Sequence, residues 1–280
     1  MPRPDPDLVA RLRAAGCVFA EDEAALLATA ADGPEREALV RRRIAGEPLE
    51  HVLGRVDFDG LRVRITPGVF VPRRRSEALV HAAVAALPDL APGHRPLVVD
   101  LCCGCGALGL AVARRAAADR HGADRHVADS RAADSRAVDL HAADVDPVAT
   151  ACAAANLAGI GTVHTGDLFA ALPGRLRGRV DVLVANTPYV PSGAIASMPP
   201  EARDHEPRAA LDGGADGLGP ARRVAAGAGE WLAPGGTLLI ETGTAQAPVL
   251  AEVFTAHGLT ARIGTDDDRG ATWVQGRAPR

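Results

Sequence analysis

The chain has 280 residues, of which 47% are hydrophobic and 24% charged, a composition typical of a globular protein with a sizeable core. Its formal net charge of -4 argues against a nucleic-acid binder that works through a broad basic surface. No apolar run approaches the roughly 18 residues of a membrane span, and MPRPDPDLVA lacks the apolar centre of a signal peptide, so we expect a cytoplasmic protein.

The first part of the chain reads as helices followed by a hairpin. Apolar residues recur at helical spacing in PDLVARLRAAG and EDEAALLATAADG, and PEREALVRRRIAGEP has the start and stop signals of a helix. The segment GRVDFDGLRVRITPGVFVPRR alternates around Gly60 and is broken by Pro67 and Pro72, which predicts a β-hairpin. The helical pattern returns from Ser76, in SEALVHAAVAAL.

A boundary rich in proline and glycine, residues 88–96, precedes a second rhythm of strand, glycine turn and helix. Strands are predicted in PLVVDL, AVDLHAADVD, GTVHTGDLF, RVDVLVANTPY and GGTLLIETGT, and two more in LTARIGTDDDRGATWVQGRA. Such alternation predicts an α/β fold with a mainly parallel sheet and helices on both faces. Ligands of these sheets bind at the carboxyl ends of the strands.

One segment, residues 116–138, does not fit this rhythm. It repeats alanine, aspartate and arginine without apolar periodicity, so we interpret it as a solvated, low-complexity insertion. Its histidines, His121 and His126, are interpreted as surface residues and not as ligands.

The first glycine turn follows the strand that ends at Asp100. Gly104 and Gly106 permit positive φ angles and a close approach to a ligand, and the next helix start offers free N–H groups. A plain β–α turn explains the pattern equally well. The P-loop signature is absent, and an acid before the turn suits a cationic ligand such as S-adenosylmethionine better than a pyrophosphate.

The same turn contains Cys102, Cys103 and Cys105. Five cysteines in total, clustered in this way, do not indicate a disulfide framework. A zinc site would need a second ligand pair at suitable spacing, and none follows nearby. We therefore interpret these cysteines as small residues of a tight turn.

The next two strand ends also carry acids. Asp144 is positioned to accept from two ribose hydroxyls, with Asp146 as a helix cap before Pro147, although both acids could be mere caps. Asp167 could accept from an adenine amino group, and Leu168 could pack on the ring.

The fourth strand ends in LVANTPYVPSG. The amide of Asn186 offers a donor and an acceptor, and backbone carbonyls in the proline turn are further acceptors. Together they can bind an NH₂ group, while Tyr189, the single tyrosine of the chain, can stack on its planar carrier. A capping asparagine beside a half-buried core tyrosine explains these residues too.

In order and spacing, the motifs resemble the protein-(glutamine-N5) methyltransferases of the HemK/PrmC type. The resemblance rests on GEPLEHVLGRVDFDGLRVRITPGVFVPR, VVDLCCGCG, AADVDP, GDLFAALPG, VLVANTPYVP and EPRAALDGGADGL, and covers most of the chain. It implies a class I S-adenosylmethionine-dependent methyltransferase, with a Rossmann-like seven-stranded sheet whose C-terminal strand is antiparallel. It also implies a helical substrate-recognition domain at 1–53, a hairpin linker at 54–88 and the methyltransferase domain at 89–280.

The resemblance further implies a substrate and site roles. The family methylates the glutamine of the Gly-Gly-Gln loop in peptide chain release factors, and so acts in translation termination. Asn186 and the backbone carbonyl of Thr187 would bind the acceptor amide, with Pro188 and Tyr189 shaping the pocket. Cofactor contacts are implied at these positions: Asp100, Cys102, Gly104 and Gly106 for the methionine part, Asp144 for ribose, Asp167 and Leu168 for adenine, Asn186 beside them, and Arg73 and Ser76 in the linker.

The sequence departs from the family pattern at three places. Thr187 replaces the first proline of Asn-Pro-Pro-Tyr, and Cys102 replaces the first glycine of the Gly-x-Gly-x-Gly turn. In the linker, PRRRSE stands where the family has Pro-Arg-Pro-Glu-Thr-Glu, so Arg74 and Arg75 add positive charge near the substrate path.

Three other functions are compatible with these residues. An Asn-Pro-Pro-aromatic motif also binds adenine in nucleic-acid methyltransferases, but base flipping needs a basic groove, which the charge disfavours. The acceptor could instead be the amide or amine of a specialised metabolite. A degenerate cofactor-binding scaffold is the remaining alternative. We expect no metal and no membrane partner.

Overall fold

The N-terminal part of the protein is helical. The computed structural model describes residues 5–88, 95–120 and 137–280. Its first helices are α1 (Pro6–Ala14), α2 (Ala20–Ala30), α3 (Gly33–Ile44) and α4 (Leu49–Leu53). Their apolar faces enclose a buried cluster that includes Leu12, Leu27 and Val40. The helices predicted in this part are confirmed, and they share a core.

A hairpin and one helix connect these helices to the sheet. Strands β1 (Arg55–Phe58) and β2 (Leu61–Arg64) pair antiparallel, as predicted, with Asp59 and Gly60 in the turn. A short 3-10 helix, Arg74–Ser76, leads into α5 (Glu77–Ala85). Glu77 Oε1 accepts from the Asp59 backbone N–H at 3.0 Å, so the first turn of α5 holds the hairpin.

The main sheet has the predicted seven strands. They are β3 (Leu97–Leu101), β4 (Asp139–Asp144), β5 (Gly161–Thr165), β6 (Val180–Ala185), β7 (Leu232–Glu241), β8 (Thr260–Asp266) and β9 (Ala271–Arg277), in the spatial order β5-β4-β3-β6-β7-β9-β8. Strand β9 lies between β7 and β8 and is antiparallel to both, while the other pairings are parallel. The predicted α/β class, with an antiparallel C-terminal strand, is confirmed.

Helices cover both faces of this sheet. On one face lie α5, α6 (Ala107–Arg120) and α7 (Pro147–Asn156), and on the other α10 (Gly219–Trp231) and α11 (Ala247–Ala256). The loops contain the short helices α8 (Pro200–His205) and α9 (Arg208–Leu211) and 3-10 helices at Leu168–Ala171, Gly174–Leu176 and Ser192–Ser197. Because successive strand residues face opposite sides, Val98 packs with the hairpin and α5–α7, and Val99 with α10 and α11. Covering on both sides explains the near-continuous apolar runs of these strands.

The predicted insertion at residues 116–138 lies only partly within the described residues. Helix α6 continues to Arg120, and Ala116 is buried in it, so the start of the segment extends this helix. At the other end, Ala137 and Val138 are buried beside β4. His121 and His126 lie outside the described residues.

A helix that crosses a bilayer needs about 20 mostly apolar residues. Within residues 5–88, 95–120 and 137–280, no helix is long and apolar enough to cross a bilayer.

Candidate functional site

A cavity of about 280 Å³ lies at the carboxyl ends of β3, β4 and β6, where sheets of this kind bind ligands. Three groups of residues, together with Pro220 and Arg223 of α10, surround it. The turn wall comprises residues 102–105, 107, 108, 143–146, 149, 167 and 168; the loop wall residues 186–190, 198, 207 and 209–211; and the linker wall residues 68–70, 72, 73, 75 and 76. The predicted site residues all lie in these walls, except Asp100 and Gly106.

The turn between β3 and α6 has a backbone that favours glycine. Gly104 and Gly106 have φ angles of +54° and +77°. Gly106 also lies against α7, because a Cβ atom there would be 3.1 Å from Leu157 Cδ1 and 3.2 Å from Ala153 Cβ. Cys102 has a φ of +56°. The cysteine that replaces a family glycine thus keeps the left-handed backbone, at a cost of about 1–2 kcal/mol.

Cys103 and Cys105 of this turn are buried, and Cys102 is partly exposed. Burial raises the pKa of Cys105 to about 12 and raises the pKa of Cys102 above its ordinary value, so both stay protonated at neutral pH. All five cysteines of the chain are free. Among the residues that the structure describes, no three His, Cys, Asp or Glu side chains are grouped to hold a metal ion.

Asp100 lies beneath the turn and not on the cavity. Its side chain is fully buried, and its Oδ2 accepts from the Gly109 backbone N–H at 2.8 Å. Its Oδ1 has no hydrogen-bond partner among the described residues. Burial, with a smaller effect of Asp144, raises the pKa of this carboxyl to about 7. The structure therefore gives Asp100 a contact with α6, and its predicted contact with the cofactor stays a prediction.

Asp144 joins the two turns of the turn wall. Its Oδ2 accepts from the Gly104 backbone N–H at 2.9 Å, and its Oδ1 accepts from the Asp146 backbone N–H at 3.0 Å. Burial raises the pKa of Asp144 despite these two bonds. Each oxygen has a further lone pair for a hydroxyl group. Asp146 caps α7 as predicted, because its Oδ1 accepts from the Val148 backbone N–H at 2.8 Å.

The far end of the turn wall contains Asp167 and Leu168. Asp167 Oδ2 accepts from Arg223 Nη2 of α10 at 2.5 Å, on the surface of the protein. Leu168 has a φ of +48°, so its side chain is held in a backbone conformation that L residues rarely adopt. Across from them, Val145 is 60% exposed although it is apolar and lines the cavity. A bound planar group would cover it.

Asn186 stands directly after β6, at the centre of the cavity edge. Its Nδ2 donates to Ser76 Oγ of the linker wall at 3.2 Å. The bond orients the amide, and Oδ1 is the atom left to accept from a ligand. Thr187, next in the chain, is buried, and its Oγ1 has no hydrogen-bond partner in the described part of the chain.

Tyr189 is held by a pair of opposite charges. Its hydroxyl accepts from Arg75 Nη2 and donates to Glu241 Oε1 at 3.2 Å, while Arg75 Nε contacts the same oxygen at 3.2 Å. Burial, followed by the charge of Glu241, raises the pKa of Tyr189 to about 12. The positive charge that the sequence adds at Arg75 is therefore paired with a buried glutamate, and it fixes the tyrosine ring.

Arg73 of the linker wall is paired in the same way. Its Nη2 contacts Glu206 Oε2 at 2.6 Å, and its guanidinium lies 4.9 Å from the centre of the Phe70 ring. Glu206 is buried, and its Oε1 accepts from the Val71 backbone N–H at 3.1 Å. Arg73 thus joins the linker to the loop wall, and its predicted role in cofactor binding stays a prediction.

The polar and apolar groups of the turn wall fit S-adenosylmethionine. Asp144 offers spare acceptor capacity for hydroxyl groups, and Val145 offers an uncovered apolar surface for a ring. At Gly104 a Cβ atom would meet nothing within 4 Å, so the backbone is open to a ligand. These three residues would hold the cofactor, with Asp167 at the adenine end.

Sequence reasoning missed several residues of the cavity region. The missed residues that the structure adds are Val145, Glu206, Arg223 and Glu241. Val145 and Glu206 carried a signal, since they belong to the AADVDP and EPRAALDGGADGL motifs. Arg223 and Glu241 lie far along the chain from their partners, and no local pattern marks them.

Known proteins resemble this chain over most of its length. The release factor glutamine methyltransferase of Geobacter sulfurreducens is 33% identical, over 85% of this chain and 75% of its own length. That of Gloeobacter violaceus is 37% identical, over 82% of this chain and 74% of its own length. A Streptomyces pristinaespiralis protein named 4-amino-L-phenylalanine/4-methylamino-L-phenylalanine methyltransferase is 35% identical, over 78% of this chain and 69% of its own length.

Two further comparisons concern family models and folds. No protein-family model matches the chain. Among solved structures, a methyltransferase from Pyrococcus furiosus aligns with 89% of this chain and 100% of its own, with a TM-score of 0.51 and 12% identity. At that identity the likeness supports the fold alone.

Proposed function

The chain belongs to the family of release factor glutamine methyltransferases, and from this premise we propose that its acceptor is the glutamine of the Gly-Gly-Gln loop in peptide chain release factors. It is an S-adenosylmethionine-dependent N-methyltransferase. The observation that carries the proposal is Asn186, whose amide is oriented by Ser76 at the meeting point of the three walls.

The protein's task in this reaction is to make a weak nucleophile reactive. An amide nitrogen reacts slowly because its lone pair is delocalised into the carbonyl group. Asn186 Oδ1 and the backbone carbonyl of Thr187 would accept its two N–H groups and so fix the direction of the lone pair. Such positioning contributes up to about 7–11 kcal/mol in the best intramolecular cases. The same two acceptors favour the positive charge that develops on nitrogen.

Other residues would shape the pocket around this amide. Tyr189, held by Arg75 and Glu241, would stack on the amide plane, and Pro188 would keep the turn compact. Bound S-adenosylmethionine supplies the methyl group. Asp144 would hold its ribose hydroxyls, and Asp167 with Leu168 would lie at its adenine ring.

Two wider features of the function are also proposals. The helices of residues 1–53 would recognise the protein acceptor. Residues 54–88 would be the linker to the methyltransferase domain, residues 89–280. Because release factors act on the ribosome, the protein would work in the cytoplasm. The contact with a release factor is supported by the names of its relatives, which refer to that acceptor.

A second candidate acceptor is the amine of a small amino acid. The relative from Streptomyces pristinaespiralis is named for methylation of amino-L-phenylalanines. In this chain, Arg75 stands where the family linker has glutamate, and its guanidinium lines the cavity. The half-exposed guanidinium could contact the carboxylate of a free amino acid.

Transfer of a labelled methyl group to purified release factor tests the first candidate. We expect labelling of the natural factor and none of a factor whose Gly-Gly-Gln glutamine is changed to alanine. Asn186→Ala should lower the rate roughly 10²- to 10³-fold, in line with removal of one transition-state hydrogen-bonding group. Ser76→Ala, which only releases the Asn186 amide, should have a smaller effect.

Calorimetry with S-adenosylmethionine provides the control. If Asn186 and Ser76 act on the acceptor, both variants should bind the cofactor as tightly as the natural protein; weaker binding would instead support the cofactor contacts that the resemblance implies for them. Equal labelling of the altered factor would refute the glutamine acceptor, and labelling of 4-amino-L-phenylalanine alone would favour the second candidate. Absence of cofactor binding at millimolar concentration would overturn both.

A further inference from the structure

Helix α8 separates two parts of the loop wall. Met198 precedes the helix, and Pro207 to Leu211 follow it, so the position of α8 determines where both parts lie. The helix has only six residues and one buried apolar side chain, Ala202. A helix this short is not stable alone, and its place depends on the contacts of its charged residues.

One of these contacts reaches the N-terminal helices. Arg43 of α3 is 5% exposed, and its Nη2 lies 2.6 Å from Glu201 Oε1 of α8. The same guanidinium contacts both carboxylate oxygens of Glu23 in α2, at 2.6 Å and 3.0 Å. Arg43 is thus shared between a partner inside the N-terminal helices and a partner beside the cavity. Burial opposes the charge of Arg43, but the hydrogen bonds that it donates to the two glutamates, with their negative charges, outweigh burial and raise its pKa.

The other end of α8 is held by the linker. Glu206, the residue after the helix, contacts Arg73 and accepts from the Val71 backbone N–H. Farther on, the Val190 N–H donates to the Leu211 carbonyl at 3.0 Å, which closes the loop wall onto the residues after Tyr189. The ion pair between Arg43 and Glu201 thus joins the N-terminal helices to α8.

We propose that Arg43 is a positioning residue that couples the N-terminal helices to the acceptor side of the cavity through Glu201. A protein acceptor that touches the N-terminal helices then meets a loop wall already held in place by the same helices. The kinetic test of this coupling rests on the proposed function, because it uses a release factor as the acceptor. The contacts of Arg43 with Glu23 and Glu201 do not depend on which acceptor the protein uses.

Two matched variants of the full-length protein separate this role from simple stabilisation. Glu201→Gln removes the negative charge of the partner toward the cavity, and Glu23→Gln removes the negative charge of the partner within the N-terminal helices. Both leave the charge of Arg43 with one glutamate partner. Amide hydrogen exchange should accelerate in residues 198–211 for Glu201→Gln and in residues 20–44 for Glu23→Gln.

Steady-state kinetics gives the second measurement. For Glu201→Gln, the acceptor KM should rise by roughly fivefold, as for loss of one partly exposed charge pair, with an unchanged cofactor Kd. For Glu23→Gln the acceptor KM should be unchanged, and Glu201→Asp should recover part of the loss. If the two glutamine variants show the same exchange pattern, the inference is wrong.

The failure of the inference can be told apart from failure of the proposed function. A natural protein that does not methylate release factor contradicts the proposed function, while the exchange pattern still decides the coupling. A natural protein that methylates release factor, with equal KM for both variants, refutes the coupling.

Discussion

At the scale of single residues, unsatisfied polar atoms concentrate around the cavity. In the described part of the chain, Asp100 Oδ1, Thr187 Oγ1 and Glu241 Oε2 are buried without a hydrogen-bond partner. They lie beneath the turn wall, in the loop wall and behind Tyr189, respectively. Each such atom costs about 1–3 kcal/mol, so this region gives up stability that the rest of the fold must supply.

Asp100→Asn should change how stability depends on pH. The pKa of Asp100 is raised to about 7 from 3.8, so between these values the folded state keeps a proton that the unfolded state releases. Stability from this group is full below about pH 4 and is lost as pH rises toward 7, by up to ~1.4 kcal/mol per pH unit. Urea unfolding at pH 4, 5.5 and 8 should show this loss in the natural protein and a flatter profile in the variant.

Asp146→Asn provides the comparison for this measurement. Asparagine also caps helices, so the variant keeps the side-chain bond to Val148 and should retain the natural pH profile. An unchanged profile in Asp100→Asn would mean that another group carries the proton.

Thr187→Val should stabilise the protein. The change removes a buried hydroxyl that has no partner among the described residues and keeps the side-chain shape. We expect the free energy of unfolding to rise by about 1–2 kcal/mol. Methyl transfer should persist, because the proposed acceptor of the substrate N–H is the backbone carbonyl. Thr150→Val is the matched control, and it should lose stability because Thr150 Oγ1 contacts Thr165 Oγ1 at 2.7 Å.

At the scale of secondary-structure elements, the β3–α6 turn can be tested with two glycines. Gly106→Ala would push a Cβ atom against Leu157 and Ala153 of the α7 region, whereas Gly104→Ala would meet open space. Both substitutions carry the strain of a positive φ, about 1–2 kcal/mol. Gly106→Ala should therefore lower the free energy of unfolding further, by about 1 kcal/mol more, in urea titrations. Equal losses would show that packing against α7 is loose.

The elements also show what the sequence could and could not predict. Strands β3 and β6 were predictable because strands covered on both faces consist of apolar runs. Helices α8 and α9 were not, because six and four residues rich in charge and alanine have no apolar periodicity.

The same contrast holds in the site. Asn186 directly follows β6 and Asp144 is the last residue of β4, and both could be found from these positions alone. The pair of Arg75 and Glu241 joins residues 166 positions apart, which no local pattern reveals. The replacement of a family glycine by Cys102 does not reveal the backbone conformation there, and the structure shows a φ of +56°, in the region that favours glycine.

At the scale of the whole molecule, Asn156 connects the hairpin of β1 and β2 to the turn between β3 and α6. Its Oδ1 accepts from the Arg64 N–H at 3.0 Å, and its Nδ2 donates to the Arg64 and Cys105 carbonyls at 2.8 Å each. Asn156→Asp keeps the acceptor and removes both donors. We expect a loss of about 1–3 kcal/mol in stability and weaker cofactor binding by calorimetry. A loss of stability with unchanged cofactor affinity would show that the hairpin does not support the turn.

The place of β9 has a consequence for how the chain is made. Its residues, Ala271–Arg277, are the last strand in the sequence, yet they lie between β7 and β8. During synthesis, β7 and β8 leave the ribosome before the strand that joins them, so β7 has an open edge until β9 arrives. Open edges recruit strands of other chains. A truncated chain that ends within residues 267–270 would therefore lack an inner strand of the sheet. We expect such a product to aggregate in the cell.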